Sequence, residues 1–391
     1  MSIKAFLEQV KPLAGRSQIL RFVTGNQSAD MDSVVSAIVY AFFYNKHYPD
    51  HQPYLPLVNI PRDELKLRRD IELLLNSHGI TDNNLFFVDD IKTLSHGNSK
   101  KLELILVDHC NLQGQELLDL YKASRVNVTG IIDHHADEGV FLNADPRIIH
   151  SNGSCSSMVF NYWTQKQADL ASNEVVRLLL GPLLIDTTNM THKVEEEDEK
   201  AFAAYKKTLE GEVQAFDASN SPIDELFKSL KKAKKDLDGY SFYDILRKDY
   251  KQFAFTNPGG TVNVGFSSLS KSIKWITNKY TAAEITQTLE DISKNFGLDI
   301  VIITTSYTKK ENDEYTREFV FSTQESKFHK LAKFADSLEL NDDIYGGSAV
   351  TEVVGQVNEK RHLEAFNQVN IKASRKQVVP AVKDIIEGGK V

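Results

Sequence analysis

The sequence predicts an α/β protein of two domains, a parallel-sheet N-terminal domain with flanking helices followed by a smaller α/β domain. Three observations predict it. The chain has 391 residues, and at roughly 150 residues per domain that favours two. Apolar runs alternate with helical patterns through the first half, which is the mark of a parallel sheet with crossover helices. A polar, turn-rich stretch, GEVQAFDASNSP at 211–222, then interrupts the pattern. The expected division is 1–210, a linker at 211–222, and 223–391.

The elements follow in order. Residues 19–24 read as a strand, 25–33 as a polar connection, and 34–43 as an apolar helix. A short strand at 54–58 precedes helical spacing over 64–75. Segments 85–88, 102–107 and 128–132 are strand-like, and 154–162 and 174–184 read as buried helices. A charged helix runs from about 194 to 209. Its acidic start suits the positive end of a helix dipole, and it reads as a solvated face. Beyond the linker lies a lysine-rich window, 228–251. Strands follow near 261–266, 298–304 and 318–322, with helices near 282–294 and 326–337.

Composition narrows the function. Hydrophobic residues make up 41% and charged residues 26%, which fits a globular chain and excludes wholesale disorder. The formal net charge of −8 disfavours a general nucleic-acid surface, which needs a basic face. Cys110 and Cys155 are too few for a disulfide framework and read as small buried hydrophobes. No apolar run approaches the roughly 20 residues that span a bilayer. The N-terminus lacks a signal-peptide core, so a cytoplasmic protein is expected. Its faintly basic, amphipathic start also fits a mitochondrial matrix fraction.

The chemistry lies where the acidic residues fall. The first strand runs into GNQSADMDS, with Asn26, Asp30, Asp32 and Ser33. LELILV runs into Asp108, VTGII into Asp133-His134-His135, and LLLGPLLI into Asp186. Carboxyl ends of parallel strands share one edge, where open α/β sheets bind ligands. Several carboxylates buried together need cations to compensate them. Oxygen donors with one or two imidazoles and no thiolate suit Mg²⁺, Mn²⁺ or Co²⁺. The donor count fits two divalent ions better than one.

GNQSADMDS, VDH, IIDHH and LLIDT resemble the ordered motifs of the DHH phosphoesterase superfamily. ASRKQVVP at 373–380 resembles the signature of the C-terminal (DHHA2-type) domain shared by family II inorganic pyrophosphatases, exopolyphosphatases and prune-like proteins. The GGGH-type motif of the alternative C-terminal domain is not found: Gly346-Gly347-Ser348 has no following histidine. IPRDELKLRRD, DPRI, VFNYW and DYKQF are similar to the fungal exopolyphosphatases of this superfamily along nearly the whole chain.

The resemblance implies an active site in the cleft between the domains. Asp30 and Asp108 would hold one metal, and Asp32, Asp108, His134 and Asp186 the other, with Asp108 bridging. His135 would contact phosphate or the surroundings of the attacking water, and Asp133 would orient a histidine from behind. Lys251, Arg375 and Lys376 would clamp phosphates. The implied activity is hydrolysis of the terminal phosphoanhydride bond of inorganic polyphosphate by a monomer, with no nucleic acid or membrane partner. The alternatives are a prune-like phosphodiesterase and an inorganic pyrophosphatase. Pyrophosphatases of the family carry histidine where this chain has Asn26. The amide would be at best a weak ligand, which favours Mg²⁺ over a tightly held transition metal. Arg62, Arg68, Arg69, Arg147, Lys360 and Arg361, with the Lys228–Lys235 run and Arg247 and Lys248, are further candidates for a basic path.

Overall fold

Six strands pair in one parallel sheet in the computed structural model, which describes residues 1–95, 100–210, 221–342 and 348–391. They are β1 (Ile19–Thr24), β2 (Leu55–Val58), β3 (Phe86–Phe87), β4 (Lys101–Val107), β5 (Val126–Asp133) and β6 (Arg147–Ile149). Their order is β3-β2-β1-β4-β5-β6, with every pairing parallel. The chain therefore winds outward from β1 and then restarts on the other side at β4. The crossover loops diverge there, which opens a crevice at the carboxyl ends of β1 and β4. The strands are apolar almost continuously, as helices on both faces require. Leu20, Phe22, Val23, Leu104 and Leu106 are all buried.

The turn out of β1 positions the first acidic motif. Gly25 packs directly on Ser33, and a Cβ on residue 25 would lie 2.4 Å from the Ser33 Cβ. Only glycine allows that approach. Asp30 caps the helix Met31–His47, its Oδ1 accepting from the Ser33 amide at 3.0 Å. Residues 31–43 of that helix are buried all round, so it is a central helix rather than an amphipathic one.

The chain divides into two compact units between Asp236 and Leu237. This is later than the expected linker, of which residues 211–220 lie outside the described residues. The helix Pro222–Lys235, expected to open the second domain, belongs to the first unit. The reason is apolar: Ile223 and Leu230 are buried in the first unit's core, with Leu226 and Phe227 packed against it.

The second unit holds a mixed sheet of β7 (Tyr250–Asn257), β8 (Gly260–Leu269), β9 (Ile300–Thr308), β10 (Tyr315–Thr323), β11 (Leu340–Asn341) and β12 (His362–Gln368). Their order is β11-β12-β10-β9-β8-β7; β8 and β9 pair parallel and the rest antiparallel. The helix expected over 326–337 is instead three short 3₁₀ turns, Ser326–Phe328, Leu331–Phe334 and Asp336–Leu338. Phe328, Leu331, Ala335 and Leu338 are the buried residues, a spacing of three, four and three that fits one helical face and is why periodicity alone read a single helix here. The helix Arg375–Glu387 packs Val378, Val382 and Ile386 on this sheet.

Candidate metal centre

The first unit brings the predicted acidic residues to one edge. Asn26, Asp30 and Asp32 follow β1, Asp108 follows β4, and Asp133, His134 and His135 end β5. Asp186 is the last residue of the helix Asn173–Asp186, the buried helix expected over 174–184. Left-handed backbone marks three of these places, and Ala29, just before Asp30, has φ of 45°. Asp108 has φ of 60°, and Thr188, Asn189 and Met190 after Asp186 have φ of 49°, 57° and 59°. Non-glycine residues hold such angles only where the surroundings impose them.

Asp108 is 2% exposed. Its Oδ2 accepts from Ser33 Oγ at 2.6 Å and from Asn26 Nδ2 at 2.7 Å. Its Oδ1 faces His134 Nε2 at 3.0 Å and His135 Nδ1 at 3.7 Å. The Asn26 amide can point only one way. Nδ2 also meets the Asp108 carbonyl at 3.1 Å, while Oδ1 accepts from the Ser28 amide and hydroxyl at 2.9 and 2.6 Å. Turning it over would set oxygen against oxygen.

Asp32 receives the start of the helix Cys155–Lys166. Its Oδ1 accepts from Ser156 N at 2.8 Å and Ser154 Oγ at 2.9 Å, and its Oδ2 from Cys155 N at 2.7 Å. The helix dipole thus points its positive end at a carboxylate. Asp32 Oδ2 lies 3.9 Å from His134 Nε2.

The two histidines are locked from behind. His134 Nδ1 donates to the Asn152 carbonyl at 2.9 Å, so its Nε2 faces the carboxylates. His135 Nδ1 donates to Asp133 Oδ1 at 2.7 Å, and Asp133 is 0% exposed. The rings meet edge to face at 4.7 Å. Carboxylates and carbonyls fixing the second nitrogen of each ring are the usual support of metal-binding imidazoles.

The electrostatics of the bare protein are those of crowded acids. Burial raises Asp32, and Asp30 adds to it against the opposing charge of His134. Burial and then the charge of Asp30 raise Asp108. Burial and the charges of Asp32 and Asp30 hold Asp186 well above the usual carboxylate range, opposed by Lys234. Burial would depress His134, but the Asp108 carboxylate outweighs it and pushes the imidazole up to about 10. Asp133 runs the other way: burial raises it, yet the bond and charge of His135 leave it lowered.

These residues fit divalent ions. Asp186 Oδ2 is buried with no hydrogen-bond partner among the described residues, which is costly unless a cation fills the place. Ligand atoms of Asp108, His134 and His135 all lie within 4.8 Å of one another. His134 has an oxygen at each ring nitrogen, so either a proton or a cation must lie between Nε2 and the carboxylates.

Several candidates for a basic path are used structurally instead. Arg62 pairs with Asp90, Arg69 with Asp236 and Arg147 with Asp137. Arg68 is buried and donates to the Ser28 carbonyl, bracing the loop after β1. Arg361 is buried on Ser322 and Ser293, and Arg247 is buried against the rings of Tyr250 and Phe296. In the second unit Arg375 is held by Asp249, its Nη2 2.7 Å from Oδ1. Lys251 lies on β7 opposite Phe266 of β8. Lys376 and Lys372 line a concavity of about 540 Å³ with Gln377, Asn370 and Ser337. Cys110 and Cys155 are buried free thiols, as expected. Gly346 and Gly347 lie outside the described residues.

Comparisons with known proteins agree with this architecture. The model of the DHH family N-terminal domain matches residues 21–184, and that of the DHHA2 domain matches residues 228–385. The chain is 34% identical over 378 residues to a Schizosaccharomyces pombe protein named "Putative exopolyphosphatase", covering 94% of this chain and 91% of that one. It is 25% identical to human "Exopolyphosphatase PRUNE1", covering 97% of this chain and 79% of that one. A "Manganese-dependent inorganic pyrophosphatase" of Methanocaldococcus jannaschii is 24% identical, covering 75% of this chain and 85% of that one. The crystal structure of a "putative family II inorganic pyrophosphatase" from Methanococcus jannaschii superposes with a TM-score of 0.58 at 20% identity, covering 94% of this chain and 99% of that one. The chain belongs to the DHH family, in the branch that carries a C-terminal DHHA2 domain. Within that branch it is related to the family II pyrophosphatases and, over most of its length, to the fission yeast protein.

No helix among the described residues is long and apolar enough to cross a membrane. The residues that sequence reasoning missed are the bracing ones: Ser33 as a donor to Asp108, Asn152 and Ser154 around the histidine and Asp32, and Asp198 beneath them. The one signal for Asn152 and Ser154 was the polar SNGSCSS run before an apolar helix.

Proposed function

We propose that this protein is an exopolyphosphatase, which hydrolyses the terminal phosphoanhydride bond of inorganic polyphosphate and releases orthophosphate with the help of divalent ions. The observation that carries the reading is Asp186 Oδ2, buried with no hydrogen-bond partner among the described residues, beside a cluster of carboxylates raised by burial and then by one another's charge. Asp30, Asp32, Asp108, His134 and Asp186 would hold two ions, with Mg²⁺ the leading candidate and Mn²⁺ or Co²⁺ able to take its place, and Asp108 shared between them. Bound there, the ions supply Lewis acidity and neutralise charge as water attacks the terminal phosphorus.

The protein's own groups prepare that site. Asn26 and Ser33 occupy one oxygen of Asp108 and so aim the other inward. Asn26 is therefore better read as a donor to Asp108 than as a weak ligand. Asp133 keeps the proton of His135 on Nδ1, which leaves Nε2 to meet phosphate. Lys251, Arg375 and Lys376 are the proposed phosphate-binding cations of the second unit. Arg375 grips oxyanions as a planar fork and the lysines act as mobile charges. The names of the fission yeast and human relatives support polyphosphate as substrate.

An inorganic pyrophosphatase is the second reading, favoured by the relation to the manganese-dependent enzyme, and a prune-like phosphodiesterase is the third. The test is release of orthophosphate from long-chain polyphosphate, pyrophosphate and a cyclic nucleotide, with Mg²⁺ and with Mn²⁺ in turn. Rapid release from polyphosphate and little from pyrophosphate is expected. The reverse order, or nucleoside monophosphate as the main product, would replace the proposal.

A further inference from the structure

We infer that Asp198 is a positioning residue for the metal centre: it holds the turn at 152–154 that aims His134 and Asp32. The inference rests on the metal-centre reading above. Asp198 is 0% exposed, and a buried carboxylate is costly unless donors fill its oxygens. Four do. Oδ1 accepts from Asn152 Nδ2 at 2.8 Å and Ser154 N at 3.2 Å. Oδ2 accepts from Gly153 N at 2.8 Å and Glu195 N at 3.1 Å.

Three of those donors belong to one turn, and that turn touches the site twice. The Asn152 carbonyl accepts from His134 Nδ1 at 2.9 Å, and Ser154 Oγ donates to Asp32 Oδ1 at 2.9 Å. Residues 152–154 lie between β6 and the helix Cys155–Lys166, in neither strand nor helix, so no ladder holds them. Gly153 is pressed onto the carboxylate: a Cβ there would lie 2.5 Å from Asp198 Oδ2 and 2.5 Å from the Lys193 carbonyl. Capping of the helix Glu196–Thr208 uses only the bond from Glu195 N. The other three bonds have no capping role. A group behind a metal-binding histidine sets the ring's angle and which nitrogen keeps the proton, and Asp198 does this through a peptide carbonyl.

The test measures Mn²⁺ binding to the full-length protein by electron paramagnetic resonance, beside the kinetics of phosphate release from polyphosphate. Asp198→Asn keeps the shape but turns one acceptor oxygen into a donor against N–H groups. Its Mn²⁺ affinity should fall about 10- to 100-fold, with kcat falling and KM for polyphosphate unchanged. Glu197→Gln is the control. Its carboxylate accepts from Asn161 and, among the described residues, makes no bond to the turn, so Mn²⁺ affinity should stay at the wild-type value. Should Asp198→Asn not fold, Asn152→Ala removes one of the three links and should weaken Mn²⁺ binding in the same direction. Wild-type Mn²⁺ affinity in the folded variant overturns the inference and leaves the metal centre standing. Wild-type protein that takes up no Mn²⁺ overturns both.

Discussion

Asp108 divides its two oxygens between two tasks, one tied to Asn26 and Ser33 and the other turned toward His134. Asp108→Asn should keep the fold, since amide and carboxylate are close in size. Changes behind a metal ligand cost about 10- to 100-fold, so loss of the ligand itself should cut the turnover of polyphosphate by more than a hundredfold. A near-wild-type rate in that variant would remove the shared-ligand role. The acids and histidines were legible because metal chemistry accepts few residue types. Ser33, Asn152 and Asp198 were not, because any polar group at the right place can supply a hydrogen bond. Asp198 in particular stands in a run of five acids, Glu195 to Glu199, where sequence alone indicates a solvated face.

Elements put these residues in place, and glycine contact decides two of the junctions. Gly25→Ala should destabilise the first unit by about 1–3 kcal/mol, the usual cost of forcing atoms into a filled space, because the Ser33 backbone it strikes cannot move without moving the helix start. Thermal or urea unfolding measures it, and an unchanged midpoint would contradict the close packing. Leu230→Ala tests the helix Pro222–Lys235, with a loss of about 2–5 kcal/mol expected from a fully buried leucine. Amide exchange should place that loss in the first unit; a loss confined to residues 237–391 would return the helix to the second. Strands β1, β4 and β5 were readable from four- to eight-residue apolar runs. β6, β7, β11 and β12 were not read, because β6 and β11 are three and two residues long and β7 and β12 carry polar residues on partly open faces.

At the scale of the molecule the two units should respond differently to metal. Mn²⁺ at 100 times its dissociation constant should stabilise the first unit by about 2.7 kcal/mol by mass action, and a chelator should reverse it. Calorimetry showing no shift would count against a centre within residues 1–236. Arg375→Ala should raise KM for polyphosphate and leave metal binding intact, because its partner Asp249 lies in the second unit; an unchanged KM would contradict the phosphate role. The order of strand, acid and helix, and hence the sheet class and the candidate ligand set, follow from the sequence by itself, since periodicity and residue chemistry are local properties. Tertiary structure alone decided that the Asn26 amide donates to Asp108, that Arg361 and Arg247 are buried, and that Asp198 stands beneath the site. Each of those facts depends on which distant backbone a side chain meets, and no local pattern encodes that meeting.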